Sequence, residues 1–398
     1  MVYRWSSMCG PLLLAMVAWC RAGENTPVFT WTGRWEKTEL IGSYHSYIKL
    51  ADGRIACFRN AGLSKLDCDC PSLEFPGGVV ASFTREPGSL FTWTPAAPVM
   101  TWEAIFDLPD LTGPRKSAPN RLMTRPTVVR LPGGDFLGLG AISRDHPAVD
   151  GLWYVASFAG SAERVSVLKE ALLTGRGAPR SAMWKYEGKV KGPVGEYQDK
   201  VQPDSMYTSV GNLIFLPDGR ATPDHARPTR NRFLLFADDL GAPDLKKEGG
   251  IWTSLCYSAD GREWFFAKDA AGAVRNLTPF RSGEGEYGFP FVFRRSAEEW
   301  WMWRSGAWHT GEGKDAPMGV HSIYLYYSPD GLNWRQVRKD VALAAISAAG
   351  GKPLAMKNMT IYYDAETKQI HGMLSVQDET REAGVWRKYH NIARVSGR

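Results

Sequence analysis

Two segments of the chain carry nearly the same eight residues. Residues 257–264 are Tyr-Ser-Ala-Asp-Gly-Arg-Glu-Trp, and residues 327–334 are Tyr-Ser-Pro-Asp-Gly-Leu-Asn-Trp. Each segment follows an apolar run, and each places Asp-Gly where a tight turn between two strands is expected. A strand–turn–strand unit that recurs after about 70 residues is typical of a repeat protein rather than of a single-core enzyme.

A second repeated element marks the first hairpin of each unit. Leu50-Ala-Asp-Gly-Arg54 and Leu216-Pro-Asp-Gly-Arg220 are near copies, and Leu131-Pro-Gly-Gly-Asp135 is a looser third. Two further turns, near residues 298 and 366, occupy the same place between apolar runs. Each unit is therefore predicted to be a hairpin, a loop, a third strand, a turn and a fourth strand, which together make a four-stranded antiparallel sheet.

Five such units predict an all-β fold, a five-bladed β-propeller that occupies residues 23–398 as a single domain. The last unit lacks a fourth strand, and the unused strand Val28–Trp35 is expected to complete it, which closes the ring and removes an exposed sheet edge. Six blades is the alternative, if the segment 160–205 holds a further blade. The pattern there predicts one helical or irregular piece, over 164–174, and one strand, over 183–190.

The N-terminal segment, residues 1–22, has the composition of a secretion signal. Arg4 supplies a positive charge, Met8–Trp19 is apolar, and small residues near Ala22 offer a cleavage site. The protein is therefore expected to be secreted or periplasmic. The net charge of +6 includes no dense basic run, so no nucleic-acid partner is predicted. No later stretch is long and apolar enough to predict membrane insertion.

Four cysteines remain after the predicted cleavage: Cys57, Cys68, Cys70 and Cys256. In an oxidising compartment, pairing of Cys57 with Cys68 or with Cys70 is one alternative, and a set of buried thiols is the other. The Cys-Asp-Cys motif lacks the further ligands of a structural zinc site. Neither a metal nor a cofactor is predicted.

The turns and hairpins resemble those of the sialidase, or Asp-box, superfamily of β-propellers. Arg125-Pro-Thr-Val-Val-Arg130 is similar to the stretch that carries the first substrate arginine in sialidases. The five-fold count resembles instead the propeller glycosidases that cut arabinosides, xylosides and fructosides, and Gly288–Arg295 is similar to a blade start in that group. The chain departs from that group at two positions. In that group a catalytic glutamate stands immediately before Gly-Pro, whereas here Glu286 stands two residues before Gly288. That group also carries an aspartate in the first innermost strand, where this chain has His45.

The mouth of a propeller channel is lined by the residues that precede each innermost strand and by the loop after each second strand. Carboxylates are frequent at these positions of the chain. Cleavage of a glycosidic bond needs a proton donor and a second carboxylate. The predicted catalytic pair is Glu286 with Asp145 or Asp204.

The same positions supply candidate substrate-binding residues. Arg125, Arg144 and Arg304 are predicted to hold the carboxylate of an acidic sugar through forked hydrogen bonds. Trp308 or Tyr287 is predicted to stack on a sugar face. The remaining candidates are His45, for which a core histidine is the alternative, His146, Tyr207, Lys357 and Asn358.

The aspartates of the repeated turns are predicted to have a structural role. In a tight turn, the carboxylates of Asp260 and Asp330 accept hydrogen bonds from backbone N–H groups. Trp264 and Trp334 are expected to pack between blades.

These features together predict a secreted, exo-acting glycoside hydrolase of the sialidase-like propeller type, with a carbohydrate substrate. Two alternatives remain open. One is a non-catalytic glycan-binding propeller, because the fold does not fix the function. The other is a polysaccharide lyase that acts on uronate-containing glycans. The sequence contains no phosphate-binding glycine loop, no His-Glu-x-x-His and no Gly-x-Ser-x-Gly.

Overall fold

The computed structural model describes twelve stretches of the chain: residues 36–41, 45–60, 79–100, 123–143, 153–198, 209–220, 230–238, 253–277, 290–309, 318–341, 356–377 and 389–395. These stretches form a β-propeller of antiparallel sheets. The predicted signal segment, residues 1–22, lies outside them, and its cleavage stays a prediction.

Three of the sheets have four strands each. Sheet 1 contains β2 (Ser46–Lys49), β3 (Ile55–Asn60), β4 (Val79–Phe83) and β5 (Ala97–Met100). Sheet 2 contains β6 (Met123–Arg130), β7 (Phe136–Ser143), β8 (Trp153–Gly160) and β9 (Lys185–Lys189). Sheet 3 contains β10 (Ser209–Arg220), β11 (Asn231–Asp238), β12 (Thr253–Ser258) and β13 (Phe265–Phe266).

Sheet 4 has eight strands and consists of two halves. One half contains β14 (Phe291–Ser296), β15 (Glu299–His309), β16 (Met318–Ser328) and β17 (Arg335–Val341). The other half contains β18 (Met356–Asp364), β19 (Gln369–Gln377), β20 (Tyr389–Val395) and β1 (Glu36–Ile41). The register between β16 and β18 has a single residue pair, Val320 with Met356.

The last sheet is completed by the N-terminal strand, as the sequence predicts. In β1, Glu36 pairs with Ala393 of β20, and Ile41 pairs with His390. The pairing strand lies further along the chain than Val28–Trp35, which is outside the described residues. Closure between the two ends of the chain is therefore confirmed, with a different strand from the predicted one.

The strands are apolar because each sheet is covered on both faces. In β15, the four successive residues Trp300, Trp301, Met302 and Trp303 are each at most 1% exposed. A strand with one face in water would alternate apolar and polar residues, whereas a strand buried on both faces has a continuous apolar run. The aromatic side chains thus fill the space between neighbouring sheets.

Short polar side chains join the innermost strands of successive sheets. In each case a side-chain oxygen accepts a hydrogen bond from a backbone N–H of the next inner strand. In β6 the acceptor Thr127 immediately precedes the donor Val128, and in β10 the acceptor Asn212 immediately precedes the donor Leu213. The same contact therefore repeats from sheet to sheet. The bonds run from Val128 N to Ser46 Oγ (2.9 Å), from Leu213 N to Thr127 Oγ1 (2.8 Å) and from Val292 N to Asn212 Oδ1 (2.9 Å).

The segment between β8 and β9 contains a helix where a helical or irregular piece is predicted. Helix α1 (Ala162–Leu173) begins at Ser161, whose Oγ accepts a hydrogen bond from Arg164 N at 3.1 Å. Its buried side chains, at Val165, Leu168 and Leu172, pack on sheets 1 and 2. The helix and β9 confirm the predicted elements 164–174 and 183–190. The described part of 160–205 thus adds one strand and not a further blade, together with the short helix α2 (Pro193–Gln198).

The two Asp-Gly turns have the predicted structural role. Asp260 Oδ1 accepts hydrogen bonds from Arg262 N at 2.8 Å and from Glu263 N at 3.0 Å. The indole of Trp264 donates to Gly261 O and is fully buried between sheets 2 and 3. Burial alone would raise the pKa of Asp260, but these backbone hydrogen bonds outweigh it and lower the pKa.

The second turn repeats this geometry. Asp330 Oδ1 accepts from Leu332 N and from Asn333 N, both at 2.8 Å. Trp334 packs edge-on against Phe236 of sheet 3, with ring centroids 6.1 Å apart. Both tryptophans therefore pack between sheets, as expected.

One predicted turn is displaced. Leu216–Arg220 is expected to be the hairpin turn of sheet 3, but β10 continues to Arg220, which pairs with Asn231. The pairing register shifts between Phe215 and Arg220, and Gly219 takes a positive φ of 67° within this shift. The chain between the two strands is longer here than in the other sheets, and this length allows the ladder to extend.

Replacement of Thr127 by valine tests the bonds between the innermost strands. The variant keeps the side-chain shape and removes the acceptor for Leu213 N, which leaves a buried donor unpaired. We expect a loss of about 1–3 kcal/mol in the free energy of unfolding, measured by urea denaturation. Thr127→Ser keeps the hydroxyl and is the control. Equal stability of the valine and serine variants would contradict the prediction.

Candidate functional site

A cavity of about 640 Å³ occupies the centre of the described structure. Its wall is built by the innermost strands β2, β6 and β10 of the first three sheets and by β14 and β18 of sheet 4. Because the bonds between inner strands repeat at equivalent positions, these strands start at the same end of the cavity. We call this end, at which His45 lies, the near end.

His45 lies in the cavity wall immediately before β2 and is only 2% exposed. Equivalent positions in the next three inner strands carry Pro126, Gly211 and Pro290. A Cβ at Gly211 would lie 2.8 Å from Cγ of Pro290, so the chains approach closely there. His45 therefore places a polar ring where the neighbouring strands have proline or glycine.

The His45 ring is buried and neutral. Burial, and then the positive charge of Arg59, lower the pKa of His45 well below its usual value. Neither ring nitrogen has a hydrogen-bond partner among the described residues. The ring packs at a tilt against Tyr47, with centroids 5.6 Å apart. A neutral imidazole with both nitrogens available can donate one hydrogen bond and accept another.

Arg59 lies behind this part of the wall. In the register of β2 and β3, Ser46 pairs with Phe58, so the next position places Arg59 opposite His45. Arg59 is 4% exposed and donates from Nη1 to Ser82 Oγ at 3.0 Å. We call the group His45, Tyr47, Arg59 and Ser82 the seam cluster, because this face of sheet 1 packs against the half of sheet 4 that contains β18.

We call the contact between sheet 1 and the β18 half of sheet 4 the seam. Ion pairs join the two sheets at the other end of the seam. Lys49 Nζ lies 2.9 Å from Asp364 Oδ2 and 2.7 Å from Glu366 Oε2, which joins β2 to the turn after β18. The hydrogen bond to Glu366 is the largest cause of a raised pKa for Lys49. Nearby, burial lowers the pKa of His371 to about 4. Lys49 is therefore paired with acidic side chains of the protein itself.

Several predicted site residues lie outside the described stretches, and their roles stay predictions. They include all three catalytic candidates. The residues concerned are Glu286, Asp145, Asp204, Arg144, His146, Tyr207 and Tyr287.

Three further candidates lie in innermost strands. Arg125 belongs to β6, and Lys357 and Asn358 belong to β18. All three positions fall in the N-terminal half of their strand, which is the half at the near end. The backbone thus brings them to the same end as His45.

The predicted placement of Arg304 and Trp308 in a loop is wrong. Both belong to β15, whose pairing with β16 continues as far as His309 opposite Met318. The run of tryptophans before Arg304 continues as one long strand because its partner strand is equally long. Arg304 is 1% exposed and occupies the position in its sheet that Arg59 has in sheet 1.

The sequence interpretation missed Tyr47, Arg59 and Ser82. One signal was available, because Arg59 directly continues the apolar run Ile55–Phe58. In a strand that is covered on both faces, a charged residue within the run must be buried, and a buried charge needs a partner. Among the described residues, no group of three His, Cys, Asp or Glu side chains is arranged to hold a metal ion.

Cys57 is completely buried beside Tyr47 on this face of sheet 1. Its proposed partners Cys68 and Cys70 lie outside the described stretches, so the disulfide stays a prediction. Cys256 is also completely buried, and burial is the largest cause of its raised pKa.

Comparisons with known proteins support the fold. No protein-family model matches the chain, and no curated protein matches it. Among solved structures, a thermostable family-43 glycoside hydrolase is similar, with a TM-score of 0.50 and 11% identity, over 90% of this chain and 91% of that chain. Xylan beta-1,4-xylosidase from Bacillus halodurans C-125 is similar with a TM-score of 0.52 and 10% identity, over 90% of this chain and 54% of that chain. The chain shares its β-propeller architecture with these proteins.

The buried His371 predicts a dependence of stability on pH. Its pKa is about 4 in the folded protein, whereas an unfolded histidine titrates near 6.5. Unfolding therefore takes up a proton between these values, and the free energy of unfolding falls as the pH is lowered from about 6.5 to about 4. The full loss from this residue is about 3 kcal/mol.

Urea denaturation of wild type and His371→Gln at several pH values checks this expectation. The variant should lose less stability than wild type over the window, whatever its stability at neutral pH. His45 contributes in the same direction and leaves a residual slope in the variant. Parallel curves for the two proteins would contradict the assignment.

Proposed function

We propose that the protein is a secreted glycoside hydrolase that acts by carboxylate acid/base chemistry at the near end of a propeller channel. The central cavity carries the proposal. Its volume of about 640 Å³ lies in the range of small-molecule sites. The fold shared with propeller glycosidases supports the same reaction class.

We also propose that the ring has five blades. Both halves of sheet 4 contain four antiparallel strands, and one residue pair joins them, Val320 with Met356. Each half has its own innermost strand in the cavity wall, β14 and β18. With the three four-stranded sheets, these halves supply five inner strands around one cavity.

The positions of the three carboxylates support the catalytic proposal. Glu286 precedes β14 by five residues, and Asp204 precedes β10 by five residues. Asp145 follows β7 by two residues, and β7 runs antiparallel to its inner strand β6. An inner strand begins, and a second strand ends, at the same end of the channel. We therefore propose that these three sequence positions lie near one end of the channel, where a pair of carboxylates would flank a glycosidic bond.

The sugar is the finer part of the proposal. The Ser-x-Asp-Gly-x-x-Trp turns support a relation to the Asp-box propellers, to which sialidases belong. The solved structures support a relation to propeller glycosidases, among them a family-43 glycoside hydrolase and a xylan beta-1,4-xylosidase by their printed names. A panel of arabinosides, xylosides and sialosides separates the two relations, since each predicts turnover of a different member.

Secretion is proposed from the N-terminal composition of residues 1–22. No helix in the described stretches combines the length and apolar character needed to cross a bilayer. Expression of the full chain with its own N-terminus, followed by mass spectrometry of the exported protein, should find a mature chain that starts near Gly23. An exported protein that still carries Met1 would contradict this part.

Substitution of the predicted catalytic pair tests the mechanism. Glu286→Gln should lower kcat by at least about a hundredfold, because the general acid/base contribution is lost while the fold is kept. Asp145→Asn and Asp204→Asn identify the second member, since one of the two should show a similar loss. Turnover is measured on the glycoside that the panel identifies.

Asp330→Asn is the matched control, because it changes one carboxylate to an amide at a turn between the outer strands β16 and β17. Its kcat should equal that of wild type. Full activity in Glu286→Gln and in both aspartate variants would overturn the assignment. Saturable glycan binding without any product would favour the binding propeller.

One observation favours a second candidate, a polysaccharide lyase. The neutral His45 lies in the cavity wall with Arg59 behind it, and a lyase needs a base together with a cation that neutralises a uronate. The base would remove the proton from the carbon next to the uronate carboxylate. The bond from the adjacent ring carbon to the leaving oxygen would break, a double bond would form between these two carbons, and the leaving oxygen would take up a proton. The product would absorb in the ultraviolet, whereas a hydrolase product would not.

A further inference from the structure

The seam cluster holds several buried hydrogen-bonding groups that lack a partner among the described residues. Arg59 Nη1 also makes a long contact with Cys57 Sγ, at 4.0 Å. Arg59 Nε–H, the Tyr47 hydroxyl and both His45 nitrogens are buried and have no partner among the described residues. Ser82 Oγ accepts from Arg59, so its own hydrogen is available to donate. Each of these four side chains can thus donate a hydrogen bond, and the neutral His45 ring can also accept one.

The charge of the cluster is also unbalanced. Arg59 forms no ion pair with any acidic side chain in the stretches that the structure describes, although it is 4% exposed. A guanidinium that is always protonated and lies away from water needs an opposite charge nearby. Lys49, at the other end of the same seam, has two carboxylates for this purpose.

We propose that the seam cluster is a binding site for a compact monovalent anion, held by Arg59 with His45, Tyr47 and Ser82. An anion would supply an acceptor for the donors that have no partner among the described residues, and a charge opposite to that of Arg59. Charge-assisted hydrogen bonds of this type are the strong ones in proteins. A neutral ligand would satisfy the donors and leave the guanidinium charge unbalanced.

The site is reached from the central cavity. His45 and Tyr47 line the cavity wall, whereas Arg59 and Ser82 stand behind them on β3 and β4. An anion that enters from the cavity meets the two rings first and the guanidinium next.

Two sources of such an anion share this chemistry. One is a free halide, and the other is the carboxylate of an acidic sugar that extends into the cavity. The proposal does not rest on the proposed hydrolase activity, because anion binding is measured without turnover. Failure of either proposal is therefore visible separately.

Thermal unfolding with added sodium salts tests the proposal on the full chain. Wild type is titrated with chloride in one series and with glucuronate in a second, and neutral glucose is the reference. We expect a midpoint that rises and saturates with at least one anion, as for a ligand that binds only the folded state. Arg59→Gln should need at least about tenfold more anion for half of the rise, because it loses the charged hydrogen bonds.

Arg130→Gln is the matched control, because it removes one positive charge from the opposite end of the same cavity wall. It should behave as wild type, so that general salt effects cancel. If Arg59→Gln does not fold, His45→Phe replaces it, since this change removes the donors of the wall and keeps Arg59. Bromide added to crystals of wild type should give an anomalous signal within hydrogen-bond distance of Arg59 if a halide is the ligand.

The outcomes are distinct. Saturation with glucuronate alone identifies a sugar carboxylate, saturation with chloride alone identifies a halide, and mutual competition identifies one site open to both. The proposal is overturned if neither anion gives a saturating rise in wild type. It is equally overturned if the variant at Arg59 or at His45 responds as Arg130→Gln does.

Discussion

The hydrogen bonds between neighbouring innermost strands are the constraint on which the rest of the structure depends. Among the described strands, the innermost strand of each sheet pairs with the second strand of the same sheet and forms no ladder with the innermost strand of another sheet. Single side-chain oxygens, from Ser46, Thr127 and Asn212, fix how far one inner strand stands from the next. This spacing sets the width of the cavity and decides which residues face it.

The seam between sheet 1 and the β18 half of sheet 4 differs at its two ends. At the far end, Lys49 meets Asp364 and Glu366, so the contact is an internal ion-pair network that holds the sheets together. At the near end, Arg59 Nε and both nitrogens of His45 have no hydrogen-bond partner among the described residues.

The fold was largely predictable because its signals are local. Asp-Gly turns, hairpins and continuous apolar runs depend on neighbours in sequence, and they predicted the sheets, helix α1 and the packing of Trp264. Contacts between distant strands were not predictable in this way. The length of β15, and hence the place of Arg304, depends on the equally long β16. The pairing of Arg59 with His45 depends on register, which turn length fixes and composition does not.

The pairing of β1 with β20 affects how the protein folds. Glu36 and Ala393 are almost the whole chain apart, so their contact closes a very long loop. Closing it costs about 3 kcal/mol more conformational entropy than a ten-residue hairpin does. Contacts of such separation also slow folding. The seam is thus expected to form last during folding and to open first during unfolding.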